Sequence, residues 1–191
     1  MSLSALIRWG GLIAVIAAVL FLIADLVVLV SALGQGSGGG LLFRTAISQS
    51  AGALLALGLV ALYAQQAEVA GYLGLVGFLA AFISLWLAAQ DVLWAALLAN
   101  IGWVLFGVAA IAARSYPRIA LIVLIVGAAL AGVVNLLLLA INFGPRVPAF
   151  MVGLGTLADI IFFVGVAWLG ISLFTGRVGE PRRLTASRRT P

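Results

Sequence analysis

The chain has 191 residues, of which 65% are hydrophobic and 8% charged, with a net charge of +5. Globular domains are about half apolar and about a quarter charged, so a mean hydropathy of +1.33 excludes a water-soluble globule and indicates a multi-pass membrane protein. No Cys, His or Lys occurs, which excludes thiol chemistry, imidazole bases, bis-imidazole haem sites and Schiff-base lysines, and argues against an enzyme.

Crossing the hydrocarbon core takes about 20 apolar residues, and six stretches qualify: about 9–33, 46–64, 71–89, 92–113, 119–141 and 149–174. The first has an apolar run of about 22 residues, longer than the core of a cleaved signal peptide, and reads as a retained span. The Gly-rich segment 34–40 follows it. Gly34, Gly36 and Gly39 there match G-x-G-x-x-G, but the match follows a helix, so it reads as a loop and not a dinucleotide cradle. Gln65, Gln66 and Glu68 make the second break, Gln90 and Asp91 the third, and Arg114 to Arg118, with Tyr116-Pro117, the fourth. The fifth, 142–148, contains Gly144, Pro145 and Pro148. Short loops make sequential helices antiparallel, giving an all-α up-down bundle over 1–176 and a basic tail over 177–191.

This topology gathers Arg8, Arg114, Arg118, Arg177, Arg182, Arg183, Arg188 and Arg189 on one side, against Arg44 and Arg146 on the other. The positive-inside rule then puts both termini in the cytoplasm of a cell-membrane protein. Trp9, Tyr63, Tyr72 and Tyr116 fall near the cytoplasmic interface as an aromatic belt, while Trp86, Trp94, Trp103 and Trp168 lie deeper or toward the outer side, as a cluster that either packs or contacts a pigment or lipid.

Spans one and five share a register: Arg8, Asp25 and Gly34 recur as Arg118, Asn135 and Gly144, offset by 110. Span two lies over span six with Phe43 on Phe150 and Gly58 on Gly165. Repeated helical hairpins are one reading; chance alignment of Leu-, Ala- and Gly-rich helices is the other.

Polar residues inside the spans fall at one level. At 1.5 Å per residue, Asp25, Asn100, Asn135 and Asp159 sit about 12–16 Å from the outer ends of their helices. Gln49 and Ser84 are closer to the same surface. A carboxylate at such depth costs at least about 2.5–3.5 kcal/mol on insertion scales, so both aspartates should face protein or water. Ala14, Ala18 and Asp25 share a helix face, as do Ala128, Ala131 and Asn135, and Asn100, Gly107 and Arg114. The expectation is one buried cluster of Asp25, Asn100, Asn135 and Asp159, with Gln49, Ser84 and Thr156 as partners. It either fixes the helix register by hydrogen bonds or lines an outward-open cavity for a proton, a cation or a small polar solute.

The stretch from Leu62 to Phe78, with the opening Arg8-Trp9-Gly10-Gly11, resembles a junction in uncharacterised multi-span membrane proteins of GC-rich bacteria. The resemblance covers the first two or three spans, and no established activity comes with it. No catalytic, cofactor or metal motif stands out. The expected role is an accessory or scaffold subunit of a larger membrane assembly; the alternative is a small proton- or cation-coupled transporter or channel using Asp25 and Asp159. Expected partners are the lipid bilayer, other membrane subunits or a second copy, and anionic lipid at the Arg-rich tail, with no nucleic acid.

Overall fold

The computed structural model describes residues 3–33, 39–88, 94–141 and 148–177. Six helices account for nearly all of them: α1 (Leu3–Leu33), α2 (Gly39–Gln66), α3 (Gly71–Ala88), α4 (Ala95–Ala113), α5 (Arg118–Ile141) and α6 (Ala149–Phe174). All six are long and apolar enough to cross a membrane. The chain is therefore a multi-pass helical membrane protein.

Helix ends differ modestly from the apolar stretches. α1 starts six residues before 9, and α2 starts at Gly39, inside the Gly-rich segment that read as a loop. The first turn of a helix needs few intrahelical bonds, so polar residues and glycines extend a helix beyond its apolar core. α4 begins at Ala95, not 92, with Trp94 before it in a turn. The Gln90–Asp91 break, the Arg146 loop and the tail from 178 lie outside the described residues.

Two short turns, 67–70 and 114–117, lie at the same end of the bundle as the start of α1 and the end of α6, called here the terminal end. In the first, the Val69 and Ala70 amides both donate to the Gln66 carbonyl at 2.9 and 2.8 Å, and the chain re-enters a helix through Gly71 at φ +58°. Only glycine takes that conformation without strain. α4 and α6 finish in the same motif: Ser115 N–H donates to Ala110 O (3.2 Å) past a left-handed Arg114, and Arg177 N–H to Ser172 O (3.0 Å) past a left-handed Gly176.

Around the bundle the helices follow chain order. α1 packs along α2 and α6, α3 along α4, α4 along α5, and α5 along α6. The α2–α3 seam is different. These helices meet near the terminal end, where Tyr63 stacks on Phe78 at 4.4 Å, and have little contact elsewhere.

Glycines set the tight crossings. A Cβ at Gly58 would lie 2.7 Å from Ala14 Cβ, and one at Gly165 would lie 2.7 Å from the Leu124 backbone. Under the offsets that relate α1 to α5 and α2 to α6, Ala14 corresponds to Leu124 and Gly58 to Gly165. The two hairpins therefore cross at equivalent positions, as duplicated hairpins would. In the middle hairpin Gly77 and Gly102 meet backbone to backbone, and Gly11 meets the Gly170 carbonyl between α1 and α6. Apolar burial drives little association within lipid, so such close backbone approach is the principal source of packing energy.

Large side chains fill the centre. Trp103 of α4 meets Phe162 of α6 edge-on at 5.3 Å, Phe162 meets Phe163 at 4.9 Å, and Phe163 stacks on Phe21 of α1 at 4.8 Å. Phe106 and Leu124 complete this layer, both fully buried. The tryptophans expected to cluster part company: Trp103 is buried, whereas Trp86, Trp94 and Trp168 are exposed. The belt also divides. Trp9 and Tyr72 are exposed, but Tyr116 is buried and Tyr63 half-buried.

Candidate functional site

Four of the seven polar residues expected to cluster line one cavity. Asp25 of α1, Asn135 of α5, and Thr156 and Asp159 of α6 border a space of about 220 Å³ at the end opposite the termini. Val28, Val134, Leu138 and Met151 are among its apolar wall residues. Ala131 borders the same space, one turn before Asn135, and its small side chain leaves room between α5 and α6. Asp25 is half-buried with its Oδ2 shielded from solvent, and Thr156 is 6% exposed. A water occupies about 30 Å³ in the liquid, so the volume suits several waters or a small solute among polar partners.

The other three residues lie elsewhere. Asn100 borders a separate, mostly apolar groove between α4 and α5, beside Gly132. Its face does match that of Gly107, which meets Ile125, but that face looks onto α5 and not toward Asp25. Gln49 lines the α2–α3 cleft. Ser84 is buried and donates to the Ala81 carbonyl of its own helix at 2.6 Å, which satisfies it locally. Rise per residue sets a side chain's depth, but rotation about the helix axis decides which neighbour it meets, so the expected single cluster separates into four places.

A polar group missed in the sequence lies at the terminal end. Gln66, fully buried, ends α2, and neither atom of its side-chain amide has a hydrogen-bond partner among the described residues. One turn earlier, the Leu62 carbonyl accepts the Tyr116 hydroxyl at 2.7 Å, tying the α4–α5 turn to α2. The Tyr116-Pro117 pair signalled a break but gave no sign of burial. Burial pushes the Tyr116 phenol well above its ordinary value of about 10, so it stays a donor. Its folded-state value is raised, so its contribution is complete below pH ~10 and declines as the unfolded chain's phenol ionises above that. We expect Tyr116→Phe to cost about 0.5–1.5 kcal/mol in detergent unfolding at neutral pH and to flatten the loss of stability above pH ~10.

Among the described residues no three His, Cys, Asp or Glu side chains gather as a metal site. Comparison with protein-family models, curated proteins and solved structures gives no match. The reading of function therefore rests on geometry.

Proposed function

We propose that the protein is an accessory or scaffold subunit that packs within a larger membrane assembly. The observation that carries this reading is the filled interior. Phe21, Trp103, Phe106, Phe162 and Phe163 occupy the middle of the bundle, so the polar cavity is blind toward the terminal end. A rigid body crossed by backbone-contact glycines offers its neighbours a surface. α3 is the best candidate for that surface, because it packs along α4 and only weakly against α2. Its outward stripe of Tyr72, Val76 and Leu79, spaced four and three residues apart, has the spacing of a helix-packing seam. The orientation proposed is both termini in the cytoplasm, supported by Arg8, Arg114, Arg118 and Arg177 at the terminal end.

The test is a photo-crosslinking residue placed at Val76 or Leu79 on α3, outside the α2–α3 cleft, and at Val126 or Val133 on the exposed face of α5, in native membranes. Polypeptide adducts confined to the α3 positions are expected. Absence of polypeptide adducts at all four positions would sink the scaffold reading.

A second reading has its own support in the shared cavity of Asp25, Asn135, Thr156 and Asp159. In it, the two carboxyls carry a proton or bind a cation in a small coupled transporter, and the aromatic layer rearranges during the cycle. Asp25→Asn with Asp159→Asn would then abolish flux while leaving the bundle assembled. Unchanged flux in the double variant eliminates this reading.

A further inference from the structure

The α2–α3 cleft encloses about 690 Å³, more than the Asp25–Asp159 cavity or the α4–α5 groove, and lies within the ~300–1,000 Å³ range of ligand pockets. We propose that it binds a single membrane lipid, with one acyl chain lying in the cleft and the ester-linked head region held by Ser48 and Gln49.

Three features fit a lipid. The first is length: α2 lines the cleft from Thr45 to Ala56, about 16 Å at 1.5 Å per residue, close to half of the ~30 Å hydrocarbon core and thus to one leaflet. The second is polarity. Thr45, Ser48 and Gln49 lie toward the start of α2, at the end away from the termini; Gly52, Ala53 and Ala56 follow one and two turns deeper. Across the cleft, Phe82, Ile83, Leu85 and Trp86 are apolar, and Phe21 of α1 borders the same space. The order from hydrogen-bonding to apolar matches an ester-linked head above a hydrocarbon chain, and a hydroxyl or carboxamide N–H can donate to ester carbonyls. The polar side chains lining the cleft among the described residues are uncharged, as donors to an ester region are.

The third feature is enclosure: the cleft is walled by α1 through Phe21, by α2 and by α3. Contact with three helices distinguishes this chain from the annular lipid around the bundle.

Gly52 makes the proposal testable. A Cβ there meets nothing within 4 Å, so Gly52→Phe projects into the cleft without opposing the backbone, and Gly52→Leu is a smaller filler. Gly153 on α6 is equally open and lies outside the cleft, so Gly153→Phe is the control. The protein is reconstituted into vesicles of phosphatidylethanolamine and phosphatidylglycerol containing a small fraction of phospholipid with a diazirine on its acyl chain. After irradiation, adducts are mapped by peptide mass spectrometry. Adducts should concentrate on Phe82, Ile83 and Trp86 several-fold over Val126 and Val133, fall to the level of those positions in both Gly52 variants, and persist in Gly153→Phe. Even labelling around all helices that is insensitive to Gly52 would overturn the proposal, as would recovery of a polypeptide crosslinked into the cleft from native membranes.

Discussion

Replacing Gly165 with leucine is expected to break the α5–α6 hairpin. Its new Cβ would meet the Leu124 backbone at 2.7 Å, and no rotamer change relieves contact with a main chain. Overpacking that forces backbone movement costs about 1–3 kcal/mol and occasionally more. The upper end applies here, because the helices on both sides are held by further crossings, Gly127 against Phe162 among them. Gly58→Leu should behave similarly against Ala14, since it occupies the equivalent crossing of the first hairpin. Gly52→Leu and Gly153→Leu, in open space, should be neutral or gain a few tenths to ~1 kcal/mol from helix propensity. Unfolding by denaturing detergent separates the two classes. Equal losses at all four glycines would mean that the crossings are not what holds the hairpins.

Truncating Trp103 to alanine should be the largest single loss in the interior. The side chain is 2% exposed and meets Phe106 at 5.7 Å and Phe162 at 5.3 Å, linking α4 to α6 across the centre. Buried aromatic truncations cost about 3–5 kcal/mol in well-packed cores. The same change removes part of the layer between the polar cavity and the terminal end. Because the chain contains no Cys, a single Cys at Ala110 or Leu169, both fully buried, reports that seal directly. A small polar maleimide should leave either position unlabelled in the parent and label it in Trp103→Ala. Rapid labelling of the parent would show that the interior is not closed.

Much of the fold could be read from residue order. Length and apolarity determine six spans, and glycine, proline and charge mark their ends. The depth of Asp25, Asn135 and Asp159 followed from counting residues along each helix. Two things could not be read that way. Azimuth is one: Asn100 lies at the expected level but faces α5, and Ser84 satisfies itself on its own helix. The α2–α3 seam is the other, since nothing in two apolar helices joined by a four-residue turn says that they separate beyond Tyr63 and Phe78. Gln66 and Tyr116 sat in segments that read as polar breaks, so their burial had no sequence signal.

The scaffold reading is tested most directly by purifying the tagged protein from its native membranes in a mild detergent and weighing the intact complex by native mass spectrometry. A mass exceeding that of the 191-residue chain by at least one stoichiometric membrane polypeptide, lost when the outward face of α3 is altered at Val76 and Leu79, is the expected result. A lone chain carrying nothing but lipid would contradict it and would leave the Asp25–Asp159 cavity as the place to look for function.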